Sequence, residues 1–359
     1  VLPTQTRDRF LHRRYDIVWA LVATKLQRLG GGLSPLATAC KELEDVGRWC
    51  LKDFTSTLVI EGDQELQYIS QITHETKSIT RLRVRAVHWK TKQLNILGSM
   101  LSQFLPLDVL ELKGVEKDYC GRIVGADEKY QIRTAGLKAL TMHAAKLRYL
   151  RRLSLRASLF EEREAVALLP FLSQMKYLRV LNLRVCRIGD DGAIALAPAL
   201  QEMTQLKELN LRANWIGADG AAALAPALRN MTQLQKLDLE RNKIGAGGAV
   251  ALAPALGRMT QLQELNLGYN QIRAEGAAAL APALGMMTQL QTLYLDRNKI
   301  GDVGAASLAP ALGNMTQLQT LDLWNNSIGD EGATALGQAM GSLTKMKDFG
   351  LGENDIWEF

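Results

Sequence analysis

Aromatic side chains are scarce: Phe, Trp and Tyr make up 6% of the 359 residues, against 47% apolar residues overall. A chain so poor in large rings has little with which to fill one deep core. Leucine and alanine in quantity suit thin layers stacked in series. Cysteine is sparse as well. Cys40, Cys50, Cys120 and Cys186 are scattered and include no C-x-x-C pair, which excludes a disulfide framework and points to a reducing compartment, cytoplasmic or nuclear. The four histidines are isolated, so no metal-ligand spacing arises. Long apolar runs are missing too. The longest near the start, residues 17–23, falls far short of a membrane span. It follows Arg7, Arg9, His12, Arg13 and Arg14, an arrangement shared by worn organelle-targeting peptides and ordinary amphipathic helices. Neither sign of charge dominates: the net of +6 permits an acidic or phosphate-bearing partner without demanding one. The sequence also lacks a phosphate-cradling glycine loop, a motif-borne Cys/His or Ser/His pair, and paired carboxylates on a rigid helix. It reads as a non-enzymatic chain with no cofactor.

What it has is a frame of 28 residues that returns almost word for word. The opening leucines are Leu150, Leu178, Leu206, Leu234, Leu262, Leu290 and Leu318, with Met346 in the eighth copy. Self-similarity at a fixed period decides the architecture before any local propensity. Within a frame, Leu209 and Leu211 alternate with Glu208, Asn210 and Arg212, the period of a strand with one face buried. Asn214, Asn242, Asn270, Asn298, Asn326 and Asn354 hold the ninth place, where the chain leaves the strand; there an amide can bond backbone groups of two adjoining turns and form a ladder. Cys186 stands in that place and reads as structural. The returning half, GAAALAPAL, predicts a small-residue helix with Leu224 and Leu228 on one face. Pro170, Pro198, Pro226, Pro254, Pro282 and Pro310 share one register in it, so every layer should bend alike.

The pattern LxxLxLxxN/C resembles the leucine-rich repeat, and the frame length with its GAxALAxAL half is similar to the ribonuclease-inhibitor-like subtype. That resemblance implies an α/β solenoid, or horseshoe, with a parallel sheet on the concave face, helices on the convex face and an N-terminal helical cap. Residues 150–359 carry the regular repeats and a closing cap. Residues 54–149 carry divergent ones, with strands expected at Thr57–Ile60, Ile79–Val84 and Leu107–Leu112 and a polar insertion at 113–136. Residues 1–53 predict helices over 16–29 and from Leu33 onward. The run LATACKELEDVGRW resembles an F-box over residues 14–52, which implies docking on a ubiquitin-ligase adaptor; a plain cap over the first repeat is the other reading. The LxxNxIGxxG segment also resembles the Ran GTPase-activating proteins, although their long acidic tail is missing.

Function is read from the exposed strand places, which differ from copy to copy while MTQL and ALAPAL recur. Arg152, Arg156, Arg184 and Arg212 form a basic stripe. Trp215, Asp238, Glu240, Arg241, Tyr269, Tyr294, Asp296, Arg297, Asp322 and Trp324 continue the lining. Trp, Tyr and Arg are the types that most often carry binding energy at interfaces. A protein partner on the concave face is expected. RNA, as a subunit of a larger assembly, is the weaker alternative, because the aromatics sit apart from the arginine stripe.

Overall fold

The computed structural model describes residues 57–61, 80–85, 96–97, 101, 107–113, 140–142, 144–156 and 162–356. The expected N-terminal helices, the F-box-like run and residues 114–136 of the insertion lie outside them, as do Cys40, Cys50 and Cys120. Eleven parallel strands form one sheet in strict sequence order: β1 Thr57–Glu61, β2 Arg81–Arg85, β3 Val109–Lys113, β4 Arg152–Arg156, β5 Val180–Asn182, β6 Glu208–Asn210, β7 Lys236–Asp238, β8 Glu264–Asn266, β9 Thr292–Tyr294, β10 Thr320–Asp322 and β11 Asp348–Gly350. Equivalent places pair without slippage, from Leu82↔Leu110↔Leu153 to Leu293↔Leu321↔Phe349. The described helices are α1 Ala144–Leu147, α2 Glu162–Leu172, α3 Gly189–Gln201, α4 Ala218–Asn230, α5 Gly245–Leu256, α6 Arg273–Gly285, α7 Gly301–Gly313 and α8 Asp330–Met340. The result is an α/β horseshoe with its sheet on the concave side.

A repeat cannot bury its own leucines, and the next layer does so. Leu206, Leu209, Leu211, Ile216, Leu224, Leu228 and Met231 of one frame are all fully buried, each such side chain stabilising by roughly 1.5–3 kcal/mol. The helices run through Pro198, Pro226, Pro254, Pro282 and Pro310. The asparagines form a ladder whose weakest rung lies at Asn270, which accepts from the Ile244 N–H at 3.4 Å. Asn214 donates through Nδ2 to the Leu183 and Leu211 carbonyls at 2.8 Å each, and its Oδ1 accepts from the Cys186 N–H at 2.8 Å. Asn242 accepts in turn from the N–H groups of Asn214 and Ile216, and the motif continues to Asn354. Cys186 is buried in the asparagine place, with its thiol 3.1 Å from the Leu155 carbonyl.

After β5, β6, β8, β9 and β10 the chain turns sharply through left-handed residues at the eighth and tenth places, such as Ala213 and Trp215, or Tyr269 and Gln271. The twelfth place is also left-handed at Gly189, Gly245 and Gly301, and at Arg273. Helices α4 and α8 begin differently. Their N-terminal amides are capped from the preceding repeat: Asp190 Oδ1 accepts from Gly217 and Gly220, and Asp302 Oδ1 from Gly329 and Gly332.

One expectation needs correction. The outer surface is not invariant: the exposed places near the helix ends hold Glu202, Asn230, Arg258, Met286, Asn314 and Ser342. Variation between copies therefore does not by itself single out the concave side. In the last strand, Phe349 occupies the leucine place and is 37% exposed, where Leu321 is fully buried; of the tail Ile356–Phe359, expected to fold over this edge, residues 357–359 lie outside the described residues.

Candidate interaction face

The concave face consists of three rows, at the third, fifth and seventh places of each frame. The fifth place proves to be largely structural. Asn182, Asn210, Asp238, Asn266 and Asp322 each turn a side-chain oxygen back to accept from the N–H two residues on, at 2.9–3.1 Å. Asp238 also accepts from Asn210 Nδ2 at 2.8 Å. Asp238 and Asp322, read as lining, thus fix the ends of their own strands. Burial pushes the Asp238 carboxyl up to about 6, with the Arg212 charge and the Asn210 hydrogen bond pulling the other way.

In the seventh row, Arg156, Arg184 and Arg212 follow Arg85 and Lys113, as consecutive strands place them. The row then changes sign at Glu240. That carboxylate is 7% exposed. It is taken up by an ion pair with Arg212, a 3.2 Å contact with Arg241 Nε and a 3.0 Å hydrogen bond from Asn266. Glu240 is therefore not an open lining residue, because its neighbours on both sides close over it. Gly268 follows. A Cβ there would lie 2.3 Å from Asp296 Oδ1, so the Asp296 carboxylate rests where a larger residue would stand. Burial raises the pKa of Asp296, and the neighbouring Asp322 adds to the shift. Tyr294 is raised for the same first reason, with Glu264 the leading charge.

Four of the expected residues meet in a single stack. The Arg241 guanidinium lies 4.3 Å from the centre of the Tyr269 ring. Arg297 lies 4.9 Å from the centre of the same ring and 4.2 Å from that of Trp324. Arginine and aromatic ring thus alternate across four successive repeats, and each contact of this kind is worth about 0.5–2 kcal/mol. The eighth-place turn gives Arg241, Tyr269 and Arg297 their common station at the rim. Trp215 stands apart from this ridge. It is 53% exposed, with Arg187 and Lys243 over its ring at 5.2 and 5.6 Å. Arg152 is also separate, 4.0 Å from Glu208 in the third row.

Among the described residues, no group of three His, Cys, Asp or Glu is placed to hold a metal ion, and no helix is long and apolar enough to cross a membrane. The family profile described as leucine-rich repeat region matches residues 155–357. No curated protein matches the chain. Among solved structures, an internalin (inlF) from Listeria monocytogenes str. 4b F2365 is similar at 19% identity and a TM-score of 0.38, over 86% of this chain and 94% of that one. Internalin C2 (inlC2) from the same strain is similar at 21% identity and a TM-score of 0.42, over 62% of this chain and 86% of that one.

Proposed function

Because this chain belongs to the leucine-rich repeat family, matched over residues 155–357, we propose that it is a protein–protein interaction module holding a macromolecular partner on its concave face. It acts by binding rather than by catalysis. The observation that carries this reading is the ridge Arg241–Tyr269–Arg297–Trp324. Its residue types are those that dominate interface energetics. Their mutual stacking immobilises long side chains before any partner arrives, which lowers the ordering cost of association. The helix on the outside of each regular repeat supports placing the chain with the ribonuclease-inhibitor-like subtype.

The test is affinity capture on the full chain from native cells, followed by mass spectrometry, with Tyr269→Ala plus Trp324→Ala as the comparison. A partner held by the wild type and lost by the double variant, with circular dichroism unchanged, supports the reading. A partner retained equally by both sinks it.

A further inference from the structure

We infer that the fifth and seventh places of β4, β5 and β6 form a second site on the same face, one that takes an acidic peptide segment. This inference rests on the concave-face reading above but uses none of the ridge residues. The fifth places are Ser154, Asn182 and Asn210, adjacent in register; the seventh places are Arg156, Arg184 and Arg212. Neighbouring strands lie about 4.8 Å apart, so three guanidinium groups are carried side by side within about 10 Å. None of the six side chains is a carboxylate. The acids at the borders are engaged: Asp238 accepts from Asn210 and from the Glu240 N–H, Glu240 pairs with Arg212, Glu111 pairs with Arg83, and Glu208 lies near Arg152 in the third row.

The centre of this strip holds an unmet demand. Arg184 Nε is buried and has no hydrogen-bond partner among the described residues. Beside it, Asn182 spends its oxygen on the Arg184 N–H, while its amide nitrogen donates to no described residue. Buried charged donors call for acceptors, and a guanidinium presents paired N–H groups that match a carboxylate in two-point contact. Like charges at this spacing repel one another, and an anion laid across them removes that repulsion.

Phosphates of a nucleic acid would offer the same charge. The rings decide between the two. Sequence-tolerant binding of single strands relies on aromatic faces on which bases stack. Here Tyr269 lies between Arg241 and Arg297, Trp324 carries Arg297, and Trp215 carries Arg187 and Lys243. The cations on those rings compete with stacking bases, and none of the six strip residues is aromatic, so an acidic polypeptide is the ligand the face suits.

The experiment measures fluorescence anisotropy of a labelled oligoglutamate peptide, and separately of a labelled oligouridylate of equal charge, with the full chain. The peptide should bind more tightly than the oligouridylate, and added salt should weaken it. Arg184→Gln should lower peptide affinity roughly tenfold, as expected for losing one charge-assisted two-point contact. Arg156→Gln serves as the second variant, should the first fail to fold, and should weaken the peptide likewise. Tyr269→Ala plus Trp324→Ala should leave peptide binding unchanged. Tighter binding of the oligouridylate, or wild-type peptide affinity in a folded Arg184→Gln or Arg156→Gln protein, overturns the proposal. Partner capture that is insensitive to the ridge variants, with peptide binding intact, would fell the ridge reading and leave this strip standing.

Discussion

The carboxylate of Asp190 reaches across one whole repeat to accept a 2.8 Å hydrogen bond from the N–H of Gly220, and a 2.6 Å bond from Gly217. One side chain thereby satisfies two of the free donors at the start of α4 and places negative charge at the positive end of that helix. A Cβ at position 220 would meet Asp190 Oδ1 at 2.5 Å and Ile216 Cγ2 at 2.9 Å, whereas one at 247 would meet nothing closer than 3.7 Å. Gly220→Ala should therefore destabilise by about 1–3 kcal/mol through overpacking and loss of the cap. Gly247→Ala should be neutral or stabilise by up to about 1 kcal/mol through helix propensity. Urea denaturation of the two variants checks the contrast. Equal midpoints would contradict it.

The ladder makes a second expectation. Asn270 donates to the carbonyls of Leu239 and Leu267 and accepts at a long 3.4 Å from Ile244, all in buried surroundings. Its own N–H donates to Asn298. Asn270→Ala takes the acceptor from the buried Ile244 N–H and one of two donors from each of the Leu239 and Leu267 carbonyls, which keep Asn242 and Asn298; a buried unpaired group costs about 1–3 kcal/mol. We expect a loss of about 1–3 kcal/mol in denaturant titration. By contrast, Asn354→Ala, at the half-buried end of the same series, should cost less.

Val185 and Arg273 occupy left-handed backbone, at φ 59° and φ 60°. For the β-branched Val185 that conformation is strained; its eighth-place counterpart Asn325, and the twelfth-place counterparts of Arg273, Gly189, Gly245 and Gly301, are residues that adopt it readily. Val185→Asn and Arg273→Gly should each raise stability by about 0.5–1 kcal/mol. A lowered thermal midpoint in both variants would contradict the strain argument.

Asp238 supplies a pH signature. Its folded carboxyl sits at about 6 against an ordinary 3.8, raised first by burial. The folded protein therefore keeps a proton that the unfolded chain gives up. The stability from this group is complete below the ordinary value and is lost as pH rises through about 6. Between those limits the wild type should lose stability relative to Asp238→Asn, with the difference constant at higher pH. Parallel stability curves for the two proteins across that window would refute the assignment.

Much of the architecture was legible because it depends on period alone. Leu209 and Leu211 announce a buried strand face, and Asn214 a turn that must be satisfied. Other features depend on which side chains meet across repeats, and a linear pattern does not express that. Asp190 looks like any acid in the first turn of its own helix, yet its partners belong to the next one. The exposed alternation placed Glu240 among open lining residues, yet Arg212 and Asn266 from the strands on either side cover it. The recurrence of Asn or Asp at the fifth place was visible. Its meaning, a side chain folded back on its own strand, required coordinates. Arg241, Tyr269, Arg297 and Trp324 were each readable as surface candidates, but only the left-handed turn shared by the first three brings them, with the seventh-place Trp324, into a stack.

The contacts of Glu240 set a limit on how this protein can change. The leucine frame would accept its near-copies in any order, but the charges on the inner side would not. Removing the segment from Leu234 to Thr260 and its following glutamine would bring Arg212 opposite Gly268 and take out Glu240 and Arg241 together, so that Arg212 loses its ion pair and Tyr269 one of its two cations. The copies are thus not spare parts: recombination between them, easy for genes this repetitive, must rewrite the inner row or lose it.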